Sequence, residues 1–342
     1  MVAIITTKAW EHTRPDRHDH RHALRVGAGL ALPGVVLLVF GRPELLVYIV
    51  FGSFAGIYGR AESGWRRARH QIQAGTLLCV GVALGVMLSS LHARTSMLVA
   101  VEVTFAMAGS VVADALRLRP TGPFFFLFAT GATATVPAGL IAPPGAIGLC
   151  LSTALLSILI GLIGSSGETP TPRVKRRRLP PDVGMHALRY ALAVAAAGGT
   201  GVLLGFDHAN WAMAAAAVPL SAIDVERPSD RALQGVLARA AHRTAGTVAG
   251  LILTGVLMTL SLPAVGVGAL VIALLFPTEL FMARHYALTV GFFTPLVMLM
   301  TELADPADPF TLILYRGLDT VIGVAAGVTA AALVGRRHAR RR

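Results

Sequence analysis

Long apolar stretches separated by arginine-rich segments are the feature that most constrains the fold of this chain. Several stretches reach the about 20 residues that a helix needs to cross a bilayer. Only 14% of the residues are charged, whereas soluble domains carry about a quarter. The pattern therefore predicts an all-α, polytopic membrane protein with about twelve transmembrane helices. The predicted spans are 23–41, 44–59, 72–91, 96–116, 121–138, 144–164, 186–205, 209–224, 243–262, 264–283, 286–303 and 309–334.

The distribution of basic residues predicts the orientation of these spans. If the N-terminus lies inside, all but three of the 30 Lys and Arg residues fall in inner segments, tails or their borders. Arg42 and Arg94 fall outside, and Arg316 lies within the last span. This asymmetry follows the positive-inside rule. It predicts a multi-pass protein of the bacterial inner membrane with both termini cytoplasmic, surrounded by lipid. Since the basic residues border apolar stretches, nucleic acid is not predicted as a partner.

The chain also looks duplicated. The motif His-Ala-Leu-Arg occurs at 22–25 and 186–189, and Ala-Gly-Thr occurs at 74–76 and 245–247. With six spans in each half, both halves begin on the same side, which predicts two parallel six-helix repeats. The predicted organisation is an N-terminal tail 1–21, a first repeat 22–165, a basic cytoplasmic linker 166–185, a second repeat 186–335 and a basic C-terminal tail 336–342.

The second half resembles the fusaric acid resistance-like (FUSC) or aromatic acid exporter family over about residues 186–330. Four motifs, in the right order, carry the resemblance. They are Asn210-Trp211-Ala212, Arg239 with residues 243–247 (RTAGT), His285-Tyr286-Ala287 with residues 293–296 (FTPL), and residues 316–320 (RGLDT) with Gly323.

The resemblance implies export of aromatic or related organic acids driven by the proton gradient. It also implies a distant likeness to plant aluminium-activated malate transporters, which conduct anions. Larger exporters of this type carry sizeable soluble domains, for which the linker here is too short, so the substrate does not carry over.

Arg316 and Asp319 are the first candidate site. They lie three residues apart in the last span, so they share a helix face and can pair. Ionisable residues within a span are costly and usually face a cavity or a partner. The pair either fixes helix packing or binds an anion at Arg316, with Asp319 as counter-ion or proton carrier. Thr294 and Tyr286, from the family-like segment of span 11, complete the predicted substrate-binding set.

Glu102 is the second candidate, because it lies well inside span 4 without a local counter-charge. An isolated carboxyl in hydrocarbon favours its neutral form, which suits proton coupling or a structural hydrogen bond. Asp319 and Glu279 are further proton-coupling candidates. Three basic residues are predicted to line an inner mouth that attracts anions, or only to reflect the bias of the positive-inside rule. They are Arg239, Arg243 and Arg284.

Other residues receive structural interpretations. Trp211 fits an interfacial aromatic belt, and residues 124–126 with Phe128 fit packing or lipid contact better than an aromatic-acid path. Cys79 and Cys150 are read as small hydrophobes. Without a catalytic triad, a zinc motif or a phosphate loop, no enzyme, cofactor or metal is predicted.

The sequence thus predicts an inner-membrane exporter of small organic acids, with aromatic acids as candidates, coupled to protons. A passive organic-anion channel and a non-transporting accessory subunit of the cell envelope are the alternatives. Assembly as a homo-oligomer is left open.

Overall fold

The computed structural model describes residues 14–163, 182–205, 208–224 and 232–339, and this part of the chain contains helices and no strand. Each predicted span corresponds to one α-helix. Short 3₁₀ segments, Pro43–Leu45 and Phe54–Ile57, extend the second helix at both ends. The helices are α1 Arg17–Val39, α2 Leu46–Ser53, α3 Gly64–Ser90, α4 Thr95–Leu116, α5 Phe124–Ala134, α6 Pro143–Ile163, α7 Val183–Leu203, α8 Ala209–Leu220, α9 Ala232–Met258, α10 Ala264–Phe281, α11 Tyr286–Ala304 and α12 Pro309–Ala339.

Seven of these helices are long and apolar enough to cross a membrane, namely α1, α3, α4, α6, α10, α11 and α12. The prediction of an all-α, multi-pass membrane protein is confirmed. Twelve spans remain a prediction, since α5, α8 and the segment Pro43–Ile57 are shorter apolar helices, and α7 and α9 are not among the seven.

Several helices extend beyond the predicted spans because basic segments continue them. The helices α3 and α9 begin well before the predicted spans at 72 and 243, since Arg and Gln are good helix formers. For the same reason α1 begins inside the predicted tail, and α12 continues past residue 335. Most of the predicted linker, residues 166–181, lies outside the described residues.

Four helices, α2, α5, α8 and α11, form the centre of the molecule. Every residue of α2 and α8 is buried, as are most residues of α5 and α11. The surrounding helices bury one face and expose large apolar side chains such as Leu155, Ile252 and Val321. Such side chains suit contact with lipid, whose tails are as apolar as they are.

Helix neighbours recur six helices along the chain. In the first half α3 packs on α5 and α6, and α1 and α2 pack on α6. In the second half α9 packs on α11 and α12, and α7 and α8 pack on α12. Between the halves, the α4–α7 contact has its counterpart in the α10–α1 contact.

Glycines let two of these helix pairs approach closely. Gly81 and Gly85 of α3 face the backbone of α5, and Gly246 and Gly250 of α9 face the backbone of α11 in the same way. Gly75 instead faces Ala55 and Ala154 at 3.4 and 3.7 Å. The match of Gly75 with Gly246 stays a prediction, although Gly81 rather than Gly75 shares with Gly246 a contact with a neighbouring helix backbone.

Long-range hydrogen bonds join connections that are predicted to share a membrane side. Arg42 donates to the carbonyl of Leu140 (3.4 Å), which links two predicted outer loops. Thr121 donates to the carbonyl of Ser221 (2.9 Å), which links two predicted inner loops. The alternation of sides along the chain is thus consistent with the packing of the connections.

Candidate functional site

A narrow cleft lies where the first turns of α8 and α12 meet α11. The cavity that it leaves has a volume of about 10 Å³, which is about the space that one water molecule needs. In this conformation the walls of the cleft lie close together and leave no room for an organic acid. The residues that line it are His208, Trp211, Met298, Leu312, Tyr315, Arg316 and Asp319.

Arg316 is the buried cation of this cleft. It is only 3% exposed, and its guanidinium carbon lies 4.0 Å from the centre of the Trp211 ring. Its Nε and Nη1 atoms have no hydrogen-bond partner within the described residues. Trp211 is buried at 3% exposure, so its predicted place in an interfacial belt is wrong.

Asp319 shares the cleft with Arg316 but does not bind it directly. Asp319 is 1% exposed, and its Oδ2 atom lacks a hydrogen-bond partner among the described residues. No nitrogen–oxygen contact of 4 Å or less joins the two side chains in this part of the chain. The direct pair that the spacing predicts is therefore not formed, although both groups face the same space.

Arg243 is a second buried guanidinium. The prediction placed it at an inner mouth, but it is 1% exposed, with its charged carbon 5.3 Å from the Phe124 ring centre. Its Nε and Nη2 atoms also lack partners among the residues described. The charges of Arg243 and Arg316 are near enough to interact repulsively. The helix α9 begins eleven residues before Arg243, so Arg243 lies well within the helix, and its role at an inner mouth stays a prediction.

A cluster of aromatic rings connects the two arginines. The Phe124 and Phe128 ring centres are 6.0 Å apart, and those of Phe128 and Trp211 are 5.5 Å apart. Phe293 of α11 lies 6.1 Å from Phe124 and 5.6 Å from Phe128. These rings pack in the interior rather than against lipid, and each end of the cluster carries a guanidinium on a ring face.

Glu102 lies at the junction of both halves. It is fully buried, and neither carboxyl oxygen has a hydrogen-bond partner in the described part of the chain. Its Oε1 atom and the side chain of Asn210 both lie against Gly131, where a Cβ atom would collide with them. Asn210 is 3% exposed with an unpartnered Oδ1. Sequence reasoning missed it as a polar neighbour of Glu102 because no local spacing connects α4, α5 and α8.

The remaining predicted site residues are separate from the cleft lining. Thr294 is fully buried on α11 against Gly250, with an unpartnered Oγ1 among the residues described. Tyr286, at the start of α11, packs under Arg239, whose guanidinium carbon lies 4.4 Å from the ring centre.

Glu279 and Arg284 belong to an ionic cluster between α1 and α10. His22 Nε2 lies 3.5 Å from Glu279 Oε2. Arg284 binds Asp19 (2.7 Å) and Asp16 (2.6 Å). The pKa of Arg284 is raised above its ordinary value, chiefly by its hydrogen bond to Asp19.

This ionic cluster also bears on metal binding. Asp16, His18 and Asp19 bring potential metal ligands within 4.8 Å of one another. Both carboxylates already bind arginines, since Arg60 contacts Asp19 as well, so the group fits an ion-pair network better than a metal.

Comparison with known proteins confirms the resemblance of the second half. Residues 191–330 match the family described as fusaric acid resistance protein-like. An uncharacterized membrane protein of Bacillus subtilis (strain 168), YvaC, is 30% identical over 159 residues. That match spans 46% of this chain and 24% of the Bacillus protein. No solved structure matches the chain.

Proposed function

We propose that this protein exports small organic acids across the inner membrane and that protons drive the export. In this proposal the chain is built from two parallel six-helix repeats around α2, α5, α8 and α11. The observation that carries the proposal is the presence of two buried arginines whose charges no carboxylate of the described residues neutralises at close range.

The energetics of these arginines favour a bound anion. Placing an arginine at the centre of a membrane helix costs about 2.5–3.5 kcal/mol on insertion scales. A cation–π contact returns about 2 kcal/mol when it is desolvated, and the repulsion between Arg243 and Arg316 adds to the cost. Stacking on Phe124 and Trp211 therefore offsets only part of the penalty. A substrate carboxylate, bound through two parallel hydrogen bonds, offsets the rest.

The aromatic cluster supports a route between the two charges. Arg243 and Arg316 stand on rings at opposite ends of the cluster. In this proposal an aromatic acid that leaves one guanidinium packs its own ring against the cluster, and its carboxylate passes the positive ring edges before it reaches the other guanidinium. Because the cleft is closed, the substrate reaches Arg316 only after the central helices move apart, as in alternating access.

The coupling requires two carboxyl groups with different tasks. Asp319 faces the cleft without binding Arg316, so its negative charge would repel a substrate carboxylate, and we expect Asp319 to keep its proton while the anion is bound. Export driven by an inward proton gradient then needs a separate proton site, which takes up a proton on the outer side and releases it on the inner side during the return step. Glu102 is the fully buried carboxyl available for this role, and Glu279 is engaged with His22 instead.

Flux through purified protein in liposomes tests the proposal. We expect uptake or release of a radiolabelled aromatic carboxylate such as benzoate to exceed that of empty liposomes and to accelerate when a pH gradient is imposed. Flux that ignores the pH gradient and follows only the anion gradient would indicate the channel instead. Flux equal to that of empty liposomes for a panel of aromatic and aliphatic acids would favour the accessory-subunit alternative.

Arg316→Lys tests the anion site within the same assay. Lysine keeps the positive charge but cannot make the planar two-point contact with a carboxylate. Loss of one charge-assisted hydrogen bond, about 1.5–3 kcal/mol, predicts an affinity that is weaker by roughly tenfold or more. Arg94→Lys, at an exposed position before α4, is the matched control. Parental affinity in both Arg316→Lys and Arg316→Ala would make the arginine structural.

A further inference from the structure

The two cysteines of the chain meet at the seam between α3 and α6. Cys79 and Cys150 are 71 residues apart in sequence, and their Sγ atoms lie 3.6 Å apart as free thiols. They are the only cysteines among 342 residues. Their reading as two independent small hydrophobes therefore misses a dithiol that the helix packing assembles.

The seam is reached from the lipid-facing surface. Cys150 is buried, but Cys79 is partly exposed. Its neighbour on α3, Val80, is 42% exposed, and Leu151 next to Cys150 is 49% exposed. Both cysteines lie within helices that are long and apolar enough to span the membrane. A reagent that reaches Cys79 must therefore dissolve in the hydrocarbon.

We propose that Cys79 and Cys150 are a modification site at which a lipid-soluble organic hydroperoxide forms a disulfide that joins α3 to α6. The proposal is independent of the transported substrate. The sulfurs of a disulfide are about 2.0 Å apart. The two Sγ atoms, now 3.6 Å apart, must therefore approach each other by about 1.6 Å for the bond to form.

The reaction has two steps. The Cys79 sulfur first attacks the hydroperoxide, and the O–O bond breaks. This gives the sulfenic acid of Cys79 and one molecule of alcohol. The Cys150 sulfur then attacks the Cys79 sulfur. An S–S bond forms, and the hydroxyl leaves with the thiol proton as water. In sum, two thiols and one hydroperoxide become one disulfide, one alcohol and one water.

Thiol titration of the reconstituted protein tests the proposal. After treatment with cumene hydroperoxide, the protein is denatured in detergent and labelled with N-ethylmaleimide. We expect both thiols to be lost together, the intact mass to fall by two hydrogens, and dithiothreitol to restore both thiols. Tryptic mapping should show the crosslink within single chains.

The single variants Cys79→Ser and Cys150→Ser provide matched controls. Cys150→Ser should accumulate the Cys79 sulfenic acid and give strong labelling by dimedone, whereas the parent should label weakly because Cys150 resolves it. Protein unfolded in detergent before oxidation should form less of the intramolecular disulfide. Oxidation of Cys79 to a sulfinic acid while Cys150 stays a thiol, crosslinks between chains, or two unreacted thiols would each overturn the proposal.

Discussion

At the scale of single residues, the most informative feature is a set of buried polar groups that have no hydrogen-bond partner among the described residues. Two arginines on aromatic faces and two carboxyl groups without a hydrogen-bond partner, Glu102 and Glu279, lie within the described interior. Each departs from the rule that buried polar groups find partners. Departures of this kind are expensive in a membrane and mark functional positions. Glu102 is the clearest case among the described residues, because neither of its oxygens is hydrogen-bonded and, unlike Glu279, it has no ion-pair partner.

Replacing Glu102 by Gln tests its role as the second proton site. Glutamine mimics the protonated carboxyl but cannot release the proton. We expect Glu102→Gln to keep its affinity for the anion while the imposed pH gradient no longer accelerates export, which should fall to the rate without a gradient. Equilibrium binding and flux on the same preparation separate the two effects. Glu62→Gln, on an inner loop beside His70, is the control. Undiminished acceleration in Glu102→Gln would assign Glu102 to packing alone.

At the scale of helices, the sequence predicts which segments form helices, and in what order, better than it predicts which helices pack against each other. Apolar length and basic borders locate all twelve helices, because both properties are local. The depth of Arg243 could not be predicted, because it depends on a basic helical extension and on packing against Phe124. The contacts of Glu102 with Gly131 and of Cys79 with Cys150 likewise join helices that are distant in sequence.

One local signal for helix partners was available. Gly81 and Gly85, Gly246 and Gly250, and Gly323 and Gly327 each form a Gly-x-x-x-Gly motif, which favours close helix approach in membranes. All three motifs lie at close contacts, with α5, α11 and α8 respectively.

Gly323→Ala tests the tight contact between α12 and α8. A Cβ atom there would collide with the backbone carbonyl of Ala212 and the side chain of Ala215. Overpacking of this kind costs about 1–3 kcal/mol, so the thermal midpoint in detergent should fall. Gly199→Ala in α7 has no heavy atom within 4 Å of the new Cβ, and its better helix propensity adds up to about 1 kcal/mol. Equal midpoints for the two variants would contradict the close packing.

At the scale of the whole molecule, two halves meet along α1–α10 and α4–α7 and enclose short central helices. The α1–α10 contact carries ionic bonds from Arg284 to Asp16 and Asp19 at one end. By the predicted orientation this end faces the cytoplasm.

The short helix α5 has 11 residues, or about 16 Å at 1.5 Å per residue. The hydrocarbon core is about 30 Å thick, so the helix α5 alone is too short to cross it. The number of spans therefore depends on whether the segment around α5 connects the two sides of the membrane.

The segments that flank α5 can complete the crossing. Non-helical backbone at membrane depth is tolerated where protein surrounds it, and Leu118 and Val136 on either side of α5 are buried. We therefore expect Thr121 to lie on the inner side and Ala138 on the outer side.

Both positions are exposed, so single cysteines can be introduced there after Cys79→Ser and Cys150→Ser. A membrane-impermeant maleimide on intact cells should label Ala138→Cys, and should label Thr121→Cys only after permeabilisation. Ala307→Cys and Ala61→Cys, exposed on predicted outer and inner loops, calibrate the assay. If Thr121→Cys and Ala138→Cys label from the same side, α5 re-enters the membrane without crossing it, and the two-repeat topology fails.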